Sequence, residues 1–531
     1  MSRSDPEDHR LNHAVVLMFE NRSFDNLLGY LYKPESAPQF EGVHGRQLSN
    51  PLPSELAHLD PAVANVHPAT SYATPYPDPG EEYPHVNTQL FSTVQPLTNR
   101  FAPVGHMQSP YNAPPAGTTP SMSGFLADYV NAFTEQMGRM PGPTECAQIM
   151  ACFTPEQTPV LSGLARGFAC FDHWFCEVPS QTYANRSFFH AARSNGFVLN
   201  GQPAGKFAAH NDSPTLFNLL EDAKLSWAVY IDPLQIVSAT GLIHARRLYP
   251  YFATHFRTIY DFFAEAAAGQ LPNYAFIEPN MFHPHTDMHP HSGAKWAEDL
   301  GIRAPDTLIG GERLLADVYN AIRTSPDGPG SSPLNTALVV TFDEHGGTFD
   351  HVPPPGAPSP ESGRCEEDFR FDRLGIRIPT VIVSAWTDER TVVTDNFQST
   401  SVIRTLREWW QLPGPLTVRD GSAPSFLPIL SRLSPRPVSS WPTVTPREPG
   451  ILEEAEQSFL RLVEKLDAPM ERLERDLLAD ALVHEGIMES TSPAADASSV
   501  SHKEAHMHFH RVGGKYFPKI ASGRQSATSE G

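Results

Sequence analysis

Long apolar runs are missing from this 531-residue sequence, and no stretch approaches the ~20 consecutive apolar residues that cross a bilayer. A transmembrane helix is therefore not expected. Cysteine is scarce and odd in number: Cys146, Cys152, Cys170, Cys176 and Cys365. An odd set excludes a complete disulfide framework, so these residues read as buried free thiols, including the pair in FACFDHWFC. Positive charge is also short, with 39 Lys and Arg against 60 Asp and Glu and a formal net charge of −21. Such a surface repels the phosphates of nucleic acid and of anionic membranes, which argues against a nucleic-acid partner. If the substrate carries phosphate, the attracting charge must come from a metal ion or from a few placed side chains. The opening residues MSRSDPEDHRLNHAVVLMFEN contain no apolar leader before the first strand-like run, so a cytoplasmic protein is expected. No internal repeat is present.

Proline, by contrast, is abundant at 52 residues, and each fixes φ and removes a donor, so long ordered loops are expected. Between them lie short, continuous, β-rich runs: AVVLMF (14–19), WAVYI (227–231), YAFI (274–277), TALVVTF (336–342) and TVIVSAW (380–386). Continuous rather than alternating apolar character suits strands covered on both faces. Helical patterns separate them: PTLFNLLEDAKL, TIYDFFAEAAAG and GERLLADVYNAIRTS. The alternation predicts an α/β fold with a mainly parallel sheet sandwiched by helices. Residues 33–120 are rich in Pro, Ser, Asn and His and too long for an ordinary connection; they are expected to wrap the surface and reach the site. We place one catalytic domain over residues 10–445, a helical extension over 446–490 and a flexible tail over 491–531.

Three of the five strands run into acids. AVVLMF leads to Glu20-Asn21, TALVVTF to Asp343-Glu344, and YAFI to Glu278. Parallel strands share one carboxyl edge, where α/β sheets bind ligands. Glu20, Asp343 and Glu344 converging there would repel one another unless a divalent cation neutralised them, with Asn21 as a neutral oxygen ligand. Singly, each acid serves equally well as a helix cap.

These residues fall in ordered motifs. ENRSFDNLLGYL (20–31), SQTYANRSFFHAARSNG (180–196), TDMHPH (286–291), FDEHGGTFDHVPPP (342–355) and LGIRIPTVIVSAW (374–386) together resemble the bacterial phospholipase C and acid phosphatase family of the alkaline-phosphatase superfamily. The resemblance spans roughly residues 12–410 and implies an alkaline-phosphatase-like fold and a metal-dependent phosphoric-ester hydrolase. It implies that Glu20, Asn21, Thr182, Asp343 and Glu344 bind one or more divalent metal ions, and that Thr182 is a nucleophile passing through phospho-threonine. A threonine hydroxyl is a poor nucleophile until metal coordination lowers its pKa, and NRSFFHAAR after it reads as a helix whose N-terminus would face the phosphate. Without the motif, Thr182 would read as a helix cap.

His85, His289 and His351 stand at or near the family's histidine positions and are candidates for protonating the leaving oxygen or holding phosphate; each alone would read as a hydrogen-bonded loop residue. HPHTDMHPH lacks the i, i+4 helical face of a zinc site, and HMHFH (506–510) lies in the tail. Ser399 occupies a place where the family often has histidine, and Pro179-Ser180-Gln181 replaces the usual Gly-Pro before the nucleophile. The expected substrate is a phosphate ester, phospholipid included, in a phospholipase C-like reaction; the alternative is an acid phosphatase on broad phosphomonoesters. A non-catalytic headgroup-binding protein needs no nucleophile, and a sulfatase-like hydrolase needs a modified Cys or Ser, so neither suits the set.

Overall fold

The computed structural model describes residues 10–447, apart from residues 73, 202–204, 234, 236, 282–284, 291–306 and 364. The expected helical extension (446–490, but for its first two residues), the tail (491–531), His283 and His291 lie outside the described residues. Eight strands form the main sheet: β1 (His13–Phe19), β2 (Ala169–Phe171), β3 (Trp227–Ile231), β4 (Phe256–Thr258), β5 (Tyr274–Glu278), β6 (Thr336–Phe342), β7 (Thr380–Val383) and β8 (Thr391–Val393). Their order across the sheet is β8-β2-β7-β6-β1-β5-β3-β4. All run parallel except β7, which is antiparallel to both β6 and β2.

Every residue of β3, β5, β6 and β7 is buried, as is β1 from Ala14 on. Unbroken apolar runs are what a sheet covered on both faces requires. The main helices used below are α1 (Phe24–Leu28), α2 (Tyr83–Phe91), α3 (Phe125–Met137), α4 (Pro159–Gly167), α5 (Thr182–Ala191), α6 (Ile259–Ala267) and α7 (Thr307–Arg323). Helices α4, α6 and α7 pack together as one group, and α5 packs with the short helices Leu216–Asp222 and Ala239–Ile243 as another. The α/β expectation holds. Strand β7 turns out to end at Val383 and to run against its neighbours, which the apolar pattern alone could not reveal.

The segment 33–120 does more than wrap the surface. With α3 it builds a second, smaller core from Leu56, Val86, Leu90, Phe125, Tyr129 and Phe133. This satellite core gives the irregular chain a rigid base from which Asp78, Glu81 and His85 reach inward. All five cysteines are free, and four are buried. No helix among the described residues is long and apolar enough to cross a membrane.

Candidate active site

Strands β1 and β6 are neighbours in parallel register, with Phe19 opposite Phe342. Glu20 and Asp343 therefore leave the sheet side by side at its carboxyl edge, followed by Asn21 and Glu344. The Asp343 carboxylate accepts from the Asn21 backbone N–H at 3.2 Å and from the Glu344 N–H at 2.7 Å. Asn21 has φ of 56°, in the left-handed region that Asn tolerates better than most residues. Gly346, with φ of 59°, lets the second loop close on the first, since a Cβ there would lie 2.1 Å from the Asn21 carbonyl oxygen; Gly347, with φ of 64°, lies against the Gly80 carbonyl, 2.5 Å from where a Cβ would sit. The two glycines of the motif are thus packing requirements, Gly346 between the two loops and Gly347 against the irregular segment.

Thr182 is the first residue of α5, with Gln181 at the cap position. Its hydroxyl does not cap the helix; it donates to Glu20 Oε2 at 3.3 Å. One turn later Arg186 donates from Nη2 to Glu20 Oε1 at 2.5 Å and from Nε to Asp343 Oδ2 at 3.3 Å. Thr182, Glu20, Asn21, Asp343, Glu344 and Arg186 are all buried. Thus the structure brings together all five residues expected to hold metal.

Three further residues escaped the sequence reading. Glu81 accepts from the Asn21 side-chain nitrogen and, at 3.2 Å, from Gln181 Nε2. Asp287 accepts from the His289 N–H at 3.1 Å, and its carbonyl oxygen accepts from the Glu20 N–H at 2.8 Å. His345 lies with Nδ1 3.3 Å from Glu344 Oε2. Glu81 lies in the irregular segment, where no periodicity marks it; Asp287 and His345 lie inside motifs whose other residues drew the reading.

The electrostatics are strongly anionic. Five carboxylates (Glu20, Glu81, Asp287, Asp343 and Glu344) are buried at this site, and the Arg186 guanidinium pairs with two of them, Glu20 and Asp343. Burial, then the Asp343 charge, pushes the Glu20 carboxyl well above its ordinary range. Burial, then Glu81 and Asp343, does the same to Glu344. Burial opposes the charge on Arg186, but Glu20 and Asp343 outweigh it and hold the pKa up. One cation does not balance five buried acids. Two buried oxygens, Asn21 Oδ1 and Glu344 Oε1, have no hydrogen-bond partner among the described residues. Unsatisfied oxygen donors in an anionic, oxygen-lined pocket fit a hard divalent cation, so the residues present suit the implied metal.

The three expected histidines part company. His289 is at the site: its Nε2 lies 2.8 Å from the Asn21 side-chain nitrogen and its Nδ1 2.6 Å from the Pro290 carbonyl oxygen. His85 is buried on α2 with Nδ1 2.8 Å from Asp128. Gln89 links Asp128 to His345, so His85 is joined to Glu344's neighbour through hydrogen bonds. His351 lies in a separate cluster, against Asp25, Glu41 and Arg46, and among the described residues no hydrogen bond or ion pair joins it to Glu20, Asn21, Thr182, Asp343 or Glu344. Glu278, the third strand-end acid, accepts from the Thr240 N–H at 2.7 Å and so serves a neighbouring helix. Ser399 is buried, and its hydroxyl has no partner among the described residues.

A hydroxyl set against a carboxylate, beside an oxygen pocket suited to a divalent cation and a helix N-terminus, defines the class: a phosphoric-ester hydrolase. The chain belongs to the Phosphoesterase family, whose profile matches residues 11–413. It is similar to non-specific phospholipase C6 of Arabidopsis thaliana, 30% identical over 93% of this chain and 84% of that protein. It is also similar to non-specific phospholipase C3 of the same plant, 31% identical over 80% of this chain and 74% of that protein. Phospholipase C B of Mycobacterium tuberculosis (strain ATCC 25618 / H37Rv) is 24% identical over 76% of this chain and 74% of that protein.

Proposed function

We propose that the protein cleaves the phosphate ester of phospholipids in the phospholipase C manner, through a phospho-threonine intermediate at Thr182, with a divalent metal ion held by Glu20, Asn21, Thr182, Asp343 and Glu344. The observation that carries this reading is the Thr182 hydroxyl, turned to Glu20 Oε2 at 3.3 Å instead of capping its own helix. A structural threonine at this position has no reason to point into a nest of acids.

A bound cation would neutralise the carboxylates, lower the pKa of the Thr182 hydroxyl and polarise the phosphoryl oxygens. Thr182 Oγ forms the bond to phosphorus as the bond to the alcohol oxygen breaks; the Thr182 proton passes to Glu20, and the departing alkoxide takes a proton from solvent water. Arg186 bridges Glu20 and Asp343 and fixes their orientation. The N-terminus of α5 faces the phosphoryl group with its positive end. Water then attacks phosphorus as the Thr182 Oγ–P bond breaks; Glu20 returns its proton to Thr182 Oγ, and the water's proton goes to solvent as the phosphorylated headgroup leaves. His289 acts in this scheme as a positioning residue: its Nδ1 meets the Pro290 carbonyl and its Nε2 the Asn21 side-chain nitrogen.

The test pairs metal removal with substrate choice. Chelation should abolish hydrolysis of phosphatidylcholine and a divalent ion should restore it; undiminished turnover after verified removal contradicts the metal. Faster turnover of simple phosphomonoesters than of phosphatidylcholine would favour the acid phosphatase alternative.

A further inference from the structure

A pocket of about 500 Å³ opens on a part of the molecule the mechanism does not use. Its walls come from the chain just after α1, from residues 154–156, from the end of α4 and from the loop before β8. Arg166 and Arg390 precede the parallel strands β2 and β8, whereas Glu20 and Asp343 follow β1 and β6. The pocket and the catalytic carboxylates therefore belong to opposite ends of the sheet.

Its charge runs against the rest of the protein. Lys33, Arg166, Arg390 and His44 line it, and Glu156 is the one acid among the described lining residues. Glu156 accepts a hydrogen bond from the Thr154 side chain, which holds its pKa down. Lys33, Arg166 and Arg390 are exposed and have no carboxylate within ion-pair distance among the described residues. Three cations against one acid in one hollow are conspicuous in a chain of net charge −21. Arg390 lies over the ring of Tyr32, 5.2 Å from its centroid. The Tyr32 hydroxyl is buried and has no hydrogen-bond partner among the described residues. Burial pushes that hydroxyl up to about 12, so it keeps its proton as a donor. Leu31, Pro68 and Pro155 add apolar wall.

We infer that this pocket is a second, non-catalytic anion site that takes the phosphate group of a small phosphate monoester, with Arg166, Arg390 and Lys33 around the phosphate. A phosphate monoester carries about −1.5 to −2 at neutral pH, a closer match to three cations than one carboxylate. Guanidinium groups suit its oxygens through paired N–H donors. The volume is in the range of small-molecule sites, and the apolar wall accommodates the organic part.

The test uses the full chain and a double variant, Lys33→Gln with Arg390→Gln, which leaves Arg166 and its bond to the Leu31 carbonyl in place. Glycerol phosphate titrated calorimetrically into wild type should show two sites, and the double variant should bind one of them at least about tenfold more weakly. The kcat/KM of the variant on a soluble ester should equal that of wild type, and its thermal midpoint should be unchanged. Sedimentation with phosphatidic acid vesicles, against phosphatidylcholine vesicles, separates the sources: selective loss in the variant places the monoester on a lipid, and unchanged sedimentation beside lost glycerol phosphate binding places it in solution. Identical titrations for both proteins, whether they show one site or two, overturn the inference; a wild-type component lost in the variant carries it even where the catalytic site takes no glycerol phosphate.

Discussion

Asn21 is held by Glu81: the side-chain nitrogen of Asn21 donates to Glu81 Oε2 and, at 2.8 Å, to His289 Nε2. An amide whose nitrogen is fixed on one side must present its oxygen on the other, and Asn21 Oδ1 is indeed the buried oxygen without a partner. Glu81 thus sets the direction of the oxygen proposed as a metal ligand. Removing a residue that orients a ligand typically costs about 10–100-fold in metal affinity. Glu81→Gln can present its own amide nitrogen to Asn21, which frees the Asn21 amide to turn. We expect divalent-ion affinity to fall by about that factor while the thermal midpoint of the metal-free protein changes little; unaltered affinity would remove Glu81 from the account.

Gly346 carries a separate prediction. Its φ of 59° and the 2.1 Å approach of a built Cβ to the Asn21 carbonyl leave no room for a side chain. Gly346→Ala should therefore push the Asp343–Glu344 loop away from Asn21, at a cost on the order of 1–3 kcal/mol for the backbone strain alone. Metal affinity should fall together with stability. A variant that keeps both shows that the two loops do not depend on this contact.

The cluster around His351 gives a pH signature. Burial disfavours the charge on His351, but Asp25 overcomes this and raises its pKa. Burial likewise opposes the Asp25 charge, while His351 and Arg377 together lower its pKa. Glu41, Arg46 and Asp350 also face the ring. A raised histidine contributes fully below its unfolded value of about 6.5 and loses that contribution as pH rises through the folded value. A lowered aspartate contributes above about 3.9 and loses its share as pH falls through the folded value. The stability gap between wild type and His351→Gln should be widest between these two limits and narrow toward alkaline pH. Denaturant midpoints near about pH 5.5 and pH 9 measure it; a gap that does not change with pH contradicts the charged pair.

Much of this architecture is legible in the residues themselves. WAVYI and TALVVTF coincide with β3 and β6 because fully buried strands need unbroken apolar runs. Strands β2, β4 and β8 are three residues long and leave no periodic trace. The antiparallel course of β7 depends on its partners rather than on TVIV. At the site, Glu20, Asn21, Asp343 and Glu344 were readable because strand ends announce themselves. Glu278 shows the limit of that rule, since it ends a central strand and serves a helix. Glu81 shows another: it reaches Asn21 from the irregular segment, across 60 residues of sequence, and only the satellite core fixes where it points.

The measurement that bears most directly on the mechanism is a mass-spectrometric search for phosphate on Thr182 in enzyme quenched with acid during turnover of a phosphate ester. The account predicts phospho-Thr182 in wild type and none in Thr182→Ala, whose kcat should fall about 10⁴-fold or more while folding loses only a hydrogen bond of about 0.5–1.5 kcal/mol. Thr182→Ser, which keeps a hydroxyl, should retain partial activity and carry the phosphate on serine. An unmodified Thr182 in quenched wild type, with near-wild-type kcat in the alanine variant, would contradict it.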